Sequence, residues 1–346
     1  MNQSKASTPA IVTHGVMPDI GQKKVILFGS CTEDWGTKSI TEAYARMLSP
    51  MITIRLDKGL KRMGPLQILK WWVFLYQHRE ADLTVVSLHR APSLIAGLFP
   101  FPRKGRWITI LESNESCPYG LQGLKKAIYD TVYRLAFRRL DAVYSPFEPF
   151  RNYYQAQGAR VHSCLYPLPF PVESVNDWKP STNIRVLFIG ADYKRKGGDL
   201  LLEFWTRTRP QNATLTFVCP EPPSSNVAGV EFLTDITIGT DAHRKLLTNH
   251  DIIILPTFQD PFGFALLEAI NFGICAITTE AAGAAEIVRQ AGGIVATTPQ
   301  DSIDQLAKLC QFPADIERRR LQCREFLLKY DVELRESLEN MLSRSE

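Results

Sequence analysis

A cluster of basic residues follows a predicted strand in the second half of the sequence. Strand Ile184–Ile189 ends at Gly190, and a loop that holds Arg195 and Lys196 leads to a glycine pair and a helix. Ligands of open parallel sheets bind at the carboxyl ends of the strands, and cations beside a helix N-terminus suit a diphosphate. A solvated charged loop, whose glycines serve only the turn, accounts for the same pattern equally well.

A second group of polar residues surrounds the start of a later helix. Asp260 lies in the loop after a buried strand, and the next helix is predicted to begin near Gly263. The amides of Gly263, Phe264 and Ala265 would point into the strand-end crevice, where unpaired helix-start N–H groups bind anions. Glu268, five residues into that helix, has a carboxylate that could accept hydrogen bonds from the two vicinal hydroxyls of a ribose. The alternative is that Glu268 is an exposed helix residue and Asp260 a turn former.

These groups sit within a regular alternation of short β-branched runs and longer amphipathic segments, which is typical of parallel α/β proteins. Strands are predicted at residues 24–28, 51–56, 83–88, 107–111, 142–144, 184–189, 214–218, 252–255 and 275–278. Helices are predicted at residues 66–78, 121–139, 199–205, 241–249, 263–272 and 314–343. The length of 346 residues fits two domains of roughly 170 residues each.

A segment rich in proline and polar residues interrupts the alternation at residues 167–183. It has neither helical nor strand periodicity, so we interpret it as the interdomain linker. The sequence thus predicts an N-terminal domain at residues 1–166, which would hold the acceptor site, and a C-terminal domain at residues 184–346. The terminal helix could pack back on the N-terminal domain.

The two motifs together resemble the retaining glycosyltransferases of the GT-B fold, specifically the large family 4 group. That group reads strand–G-R-x-x-x-x-K-G–helix, then P-S-x-x-E-x-F-G-x-x-x-x-E-A-x-A-x-G-x-P, then G-G-x-x-E. Here the second motif runs from Pro256 to Cys275 as PTFQDPFGFALLEAINFGIC, and Gly283 to Glu286 follow as GAAE. The match spans most of residues 184–290, whereas the first half of the chain matches only loosely. The resemblance implies two Rossmann-like domains that face each other across a cleft, and transfer of a sugar from a nucleotide-diphosphate sugar.

The resemblance also implies roles for these residues. Lys196 would hold the donor diphosphate with the help of the helix-start amides, Glu268 would bind the ribose, and Asp260 would contact the sugar hydroxyls. We therefore take Asp260, Glu268 and Lys196 as the candidate catalytic residues. The candidate donor-binding residues are Gly190, Arg195, Lys196, Gly263, Phe264, Ala265 and Glu268.

Three positions depart from the pattern of the family. Ala191 replaces its arginine, so that Arg195 could supply this charge or the site could hold the diphosphate less firmly. Asp260 stands where the family has glutamate, one methylene longer, which could change the sugar. The histidine that often follows the fourth N-terminal strand is absent, and Glu112 stands near its place.

Candidates for the acceptor cleft come from the N-terminal half. Gly36 follows the first strand and His89 follows the strand at residues 83–88, and Glu112 completes the set. A simple turn between strand and helix explains Gly36 equally well. For His89, the more common role is that of a structural histidine whose hydrogen bonds are made within the protein. Because the sequence has no Asp-x-Asp pair, we expect neither a metal nor any other cofactor besides the nucleotide sugar.

The charge is distributed unevenly. Residues 1–175 hold 22 Lys and Arg against 13 Asp and Glu, whereas the remainder holds 18 against 23. A basic half suggests an anionic partner such as a membrane surface or a lipid-phosphate acceptor, and no nucleic-acid module is recognisable. The stretch Lys58–Arg79 combines five cations with two tryptophans, so that it could lie on an anionic bilayer or pack in the core.

The cysteines and the hydropathy indicate a cytoplasmic location. Seven cysteines are scattered without a C-x-x-C pair, which argues against a disulfide framework or a zinc site. The first 20 residues lack the apolar stretch of a secretory signal, and no apolar run approaches the ~20 residues that span a bilayer. Peripheral contact with the inner face of the membrane is a further expectation.

The motifs and the resemblance together predict a hexosyltransferase-like, metal-independent glycosyltransferase, and the resemblance implies that it retains the anomeric configuration. Its acceptor would be a glycan, a lipid-linked sugar or another hydroxyl compound, in bacterial-type surface polysaccharide or glycoconjugate synthesis. Two alternatives stay open: a nucleotide-sugar epimerase on the same fold, and a catalytically silent subunit that binds sugar nucleotides. The altered positions Ala191 and Asp260 keep the second alternative open.

Overall fold

The computed structural model of the chain describes residues 11–13, 25–30, 52–56, 65–88, 96–111, 123–146, 148–168, 183–224, 226–237, 239–260 and 263–343. The chain divides into two compact units. The first comprises Met1–Pro167 and Leu334–Glu346, and the second comprises Leu168–Glu333. The predicted linker at residues 167–183 lies outside the described residues except at its two ends.

The first unit is built on one sheet. Its strands are β1 (Ile11–Thr13), β2 (Val25–Ser30), β3 (Ile52–Leu56), β4 (Leu83–Leu88), β5 (Arg106–Leu111), β6 (Ala142–Ser145) and β7 (Val161–Ser163). Their order across the sheet is β1-β3-β2-β4-β5-β6-β7. The described helices are α1 (Pro65–Gln77), α2 (Gly123–Arg139) and α3 (Glu148–Ala156).

The five strands predicted in this half are confirmed within two residues at each end. One edge of the sheet departs from the parallel pattern, because β1 pairs with β3 in the antiparallel direction. The edge strands β1 and β7 are only three residues long, too short to show a periodic pattern in the sequence.

The second unit is built on a wholly parallel sheet. Its strands are β8 (Ile184–Ile189), β9 (Ala213–Val218), β10 (Val230–Leu233), β11 (Ile252–Leu255), β12 (Cys275–Thr279) and β13 (Ile294–Ala296). Their order is β10-β9-β8-β11-β12-β13, with parallel pairing throughout. The strands β9 and β10 therefore lie on one side of β8, whereas β12 and β13 follow β11 on the opposite side. The carboxyl ends of the neighbours β8 and β11 flank the topological switch point, where open sheets of this kind bind ligands.

Helices complete the second unit. They are α4 (Gly198–Thr208), α5 (Asp241–Thr248), α6 (Phe264–Asn271), α7 (Ala285–Gln290), α8 (Pro299–Gln311) and α9 (Pro313–Ser343). The sequence predicted α4, α5, α6 and α9 but neither α7 nor α8. The end of α9, from Leu334, belongs to the first unit, where Leu165 donates its backbone N–H to the Ser337 hydroxyl at 3.4 Å.

The strand and the helix that flank the switch point are buried. All four residues of β11 are buried, as are the residues of α6 from Ala265 to Asn271. A strand that is covered on both faces has an unbroken run of apolar residues. For this reason the bounds of β11 predicted from the sequence are the same as the observed ones. Over the described residues, no helix combines the length and the hydropathy needed to cross a bilayer.

Candidate functional site

The loop after β8 and the loop after β11 are joined by their backbones. Gly197 has a left-handed φ of 76°, and a Cβ atom there would lie 2.0 Å from the carbonyl oxygen of Pro256. Phe258 donates its N–H to the carbonyl oxygen of Arg195 at 3.0 Å, and the Thr257 hydroxyl donates to the same oxygen at 3.3 Å. Glycine at position 197 is therefore required both by its conformation and by the close approach of the two loops.

Lys196 and Asp260 meet where the two loops converge. The Lys196 Nζ lies 3.2 Å from Asp260 Oδ2, and the two side chains are 15% and 8% exposed. A Cβ atom on Gly190 would lie 2.7 Å from Lys196 Cδ, so the missing side chain leaves room for the lysine stem. The structure thus brings together two residues that the sequence placed in separate motifs.

The position of Asp260 is fixed by the loop that follows β12. Its N–H donates to the Ala281 carbonyl at 3.1 Å, and its own carbonyl accepts from the Gly283 N–H at 2.8 Å. These bonds form a parallel bridge between Asp260 and Ala282. Asp260 is therefore part of a short strand-like pairing and is buried, so the structure does not support its reading as a simple turn former.

The N-terminus of α6 lies at the end of the loop that follows β11 and holds Asp260. Gly263 caps the helix with φ 77° and ψ 41°, and its carbonyl accepts the first helical bonds from Leu266 and Leu267 at 2.9 and 3.3 Å. The amides of Gly263, Phe264 and Ala265 precede these bonds. Amides at this position, together with the helix dipole, favour an anion.

Glu268 is buried, and the alternative of an exposed helix residue is wrong. Its side chain is 2% exposed, and its Oε2 lies 3.5 Å from Nε2 of His243, which is 0% exposed. Burial lowers the pKa of His243 to about 4, so that the imidazole is neutral near pH 7. His243 is not among the site residues predicted from the sequence. Its spacing from the buried residues Leu246 and Leu247 was the available signal, because it places a histidine on the apolar face of α5.

Arg195 is engaged within its own unit. Its guanidinium donates to the Asp192 carboxylate at 2.8 Å and to the backbone carbonyl of Gln259. Asp192 precedes the basic cluster and Gln259 precedes Asp260, so the arginine ties the two loops together. Its predicted role as the replacement for the arginine missing at Ala191 stays a prediction.

The candidates for the acceptor cleft, Gly36, His89 and Glu112, lie outside the described residues. Within the part of the chain that the structure describes, no group of three or more His, Cys, Asp and Glu side chains could hold a metal ion. The described cysteines are buried and form no disulfide with one another: Cys164, Cys219, Cys275, Cys310 and Cys323. Among the described residues, the loops after β8 and β11 thus hold the Lys196–Asp260 ion pair, and α6, which follows the second loop, contributes its N-terminus and the Glu268 side chain that pairs with His243 of α5.

A family model and several solved structures are similar to this chain. Residues 183–311 match the model of the family described as glycosyl transferases group 1. No curated protein matches the sequence significantly.

Solved structures match nearly the whole chain at low sequence identity. A glycosyltransferase from Rickettsia africae is 12% identical with a TM-score of 0.68, covering 94% of this chain and 100% of its own. HepE from Anabaena in complex with UDP is 14% identical with a TM-score of 0.66, covering 93% and 100%. WaaG, a glycosyltransferase involved in lipopolysaccharide biosynthesis, is 14% identical with a TM-score of 0.64, covering 93% and 100%. The two parallel-sheet α/β units are those of the GT-B fold, and together with the family match they support a glycosyltransferase of this fold.

Proposed function

We propose that the protein transfers a sugar from a nucleoside-diphosphate sugar to a hydroxyl acceptor. The observation that carries this proposal is the meeting of Lys196 and Asp260 at the switch point, directly before the N-terminus of α6. A cation and helix-start amides suit the diphosphate, and a carboxylate beside them suits the hydroxyls of the attached sugar.

Each residue contributes a separate part of donor recognition. Lys196 and the amides of Gly263 to Ala265 bind the diphosphate and meet the negative charge that grows on the leaving phosphate. Asp260 accepts hydrogen bonds from the transferred sugar, and Glu268 accepts them from the ribose. The glycine at position 190 leaves room for the stem of Lys196, which reaches the diphosphate.

The stereochemistry and the absence of a metal are further parts of the proposal. The resemblance to family 4 implies retention of the anomeric configuration. Lys196 and the dipole of α6 supply positive charge at the place where other nucleotide-sugar enzymes use a divalent ion. HepE binds UDP, which makes uridine donors the first ones to test.

The deciding experiment separates transfer from two other outcomes. The purified protein is incubated with radiolabelled UDP-sugars and a panel of glycan and lipid-linked acceptors, and the products are identified by mass spectrometry. A glycosylated product supports the proposal. An isomerised sugar without transfer would indicate an epimerase, and nucleotide binding without any product would indicate a silent subunit.

We further propose that the first unit contacts an anionic membrane surface, where a lipid-linked acceptor would be found. Helix α2 exposes Leu124, Ile128 and Leu135, whose spacings of four and seven residues place them on one face. Arg134 and Arg138 are exposed beside this stripe. Exposed apolar side chains flanked by cations are typical of helices that lie on anionic bilayers.

Helix α1 adds to the same surface. Trp71 and Leu75 are buried, whereas Leu69, Val73 and Tyr76 are exposed on the other side of the helix. The connections from β3 to β4 and from β5 to β6 run in the same direction across the sheet. Because such connections are right-handed, α1 and α2 lie on one face of the sheet. This surface supports a peripheral location at the cytoplasmic side of a membrane and synthesis of a surface polysaccharide or glycoconjugate.

A further inference from the structure

His243 lies behind the proposed ribose-binding residue, on a different helix. It comes from the first turn of α5, whereas Glu268 comes from the second turn of α6. The two side chains are 0% and 2% exposed, and 3.5 Å separates His243 Nε2 from Glu268 Oε2. We propose that His243 is a positioning residue that orients the Glu268 carboxylate toward the ribose of the donor. This inference rests on the proposed function.

The backbone around His243 fixes which ring nitrogen faces the carboxylate. The N–H of Gly239 donates to His243 Nδ1 at 3.3 Å, so Nδ1 accepts and the proton of the neutral ring resides on Nε2. Thr240 caps α5 and accepts the backbone N–H of His243 at 3.4 Å. The ring is therefore held on one side by the turn before α5 and presents an N–H group to Glu268 on the other.

A neutral donor behind the carboxylate has a specific consequence. A protonated histidine or a lysine at this place would neutralise Glu268 and weaken its acceptance of hydroxyl hydrogens. A neutral imidazole orients the carboxylate but leaves its full negative charge for the ribose. Burial keeps the pKa of His243 near 4, which maintains this neutral state.

The separation of 3.5 Å is longer than an ordinary hydrogen bond. Hydrogen bonds of functional groups are often long before the ligand binds and shorten in the complex. We therefore expect the His243–Glu268 contact to shorten when a ribose engages the Glu268 carboxylate. The competing interpretation is a buried histidine that only fills space on the apolar face of α5, next to Leu246 and Leu247.

Substitutions at position 243 separate these interpretations. H243Q keeps an N–H donor at the distance of Nε2, whereas H243L keeps the apolar volume without a donor. H243N is a third variant whose shorter amide cannot reach Glu268 as Nε2 does, so it tests the loss of the donor independently of H243L. Thermal unfolding followed by circular dichroism establishes that each variant is folded.

The measurement is the calorimetric affinity for UDP and for 2′-deoxy-UDP, extended to the other common nucleoside diphosphates and their 2′-deoxy forms. The parent should prefer the ribonucleotide. H243L and H243N should reduce this preference by about 3-fold to 10-fold, as expected for the loss of one ordinary hydrogen bond, and should leave the affinity for the deoxy form within about 2-fold. H243Q should retain most of the preference.

The possible failures are distinguishable. If H243L or H243N keeps the parental preference, or if both nucleotides weaken equally, the positioning role is wrong while the donor site stands. A parent that binds none of the nucleoside diphosphates would overturn the proposed function and this inference together.

Discussion

Lys196 and Asp260, from loops that follow two different strands, form an ion pair of 3.2 Å at the switch point of the second unit. Before the donor binds, the lysine charge is thus balanced by a carboxylate that is itself proposed to recognise the sugar. Under the proposed function, an entering diphosphate would give the lysine a second anionic partner, and the carboxylate would gain sugar hydroxyls to accept from. Such an arrangement would couple recognition of the sugar to recognition of the phosphate.

The first prediction concerns Lys196. A hydrogen bond to a charged group contributes roughly 1.5–3 kcal/mol, so Lys196→Ala should reduce kcat/KM for the donor by about 10-fold to 150-fold. Lys194→Ala is the matched control, since Lys194 is an exposed lysine of the same loop. Parental kinetics in Lys196→Ala, or equal losses in both variants, would remove Lys196 from the diphosphate site.

The second prediction separates the sugar from the nucleotide. Asp260→Ala should reduce turnover at least 10-fold while the affinity for UDP stays the same or rises, because Lys196 loses its internal partner. Glu268→Ala should weaken UDP binding and turnover together, because the ribose that Glu268 is proposed to bind is present in both UDP and the UDP-sugar. Its removal would leave ribose hydroxyls without an acceptor in a buried site. Calorimetry and steady-state kinetics of both variants test these two statements. Equal losses of UDP affinity in the two variants would show that the separate roles of Asp260 and Glu268 are assigned wrongly.

The third prediction is that activity survives chelation. Because Lys196 and the N-terminus of α6 are proposed to meet the phosphate charge, EDTA should leave the initial rate within about 2-fold of its value without chelator. The same assay with added magnesium and manganese is the control. Complete loss with EDTA and recovery with either ion would replace this site by a metal-dependent one.

The fourth prediction concerns the membrane surface of α2. Flotation with vesicles that contain anionic lipid should be strong at low salt and weaker above about 0.1 M salt, where surface charges are screened beyond about 10 Å. Serine at Leu124, Ile128 and Leu135 together should abolish flotation.

The matched control for this prediction lies on α9. Leu321 and Leu328 are also exposed leucines, but they belong to the second unit. Serine at these two positions should leave flotation unchanged. If the α9 variant floats no better than the α2 variant, or if neutral vesicles are bound as well as anionic ones, the proposed surface is wrong.

The fifth prediction concerns stability at acidic pH. Burial lowers the pKa of His243 to about 4 and also lowers the pKa of His250, whereas both would titrate near 6.5 in the unfolded chain. Between these values the unfolded state binds more protons than the folded state, so stability should fall as the pH falls from about 6.5 toward 4. The contribution of His243 should amount to about 2 kcal/mol by pH 5.

Thermal unfolding between pH 7 and pH 5 measures this effect. The slope of stability against pH should be smaller in H243L, which cannot take up the proton, than in the parent. An identical slope in the two proteins would mean that the pKa of His243 is the same in the folded state as in the unfolded chain.

The amino-acid sequence by itself determined the α/β class and the bounds of the central strands. Runs such as Ile252–Leu255 are apolar at every position, which is the pattern of a strand covered on both faces. Strand ends, glycines and helix starts have local signals, so the sequence also indicated Lys196, Asp260, Gly263 and Glu268 as candidates, and the resemblance to family 4 implied that they form a donor site. Short elements such as β10, β13 and α7 have no such signal.

Only the tertiary structure decided which residues of different elements touch. Parallel strands that are adjacent in the sheet can be far apart in the chain, and β8 and β11 are separated by two strands and two helices. The ion pair of Lys196 with Asp260 and the contact of His243 with Glu268 therefore arise from sheet order and helix packing. The sequence alone, with Leu246 and Leu247 nearby, indicates a core role for His243. Only the fold shows that the buried carboxylate of Glu268 lies 3.5 Å from its ring.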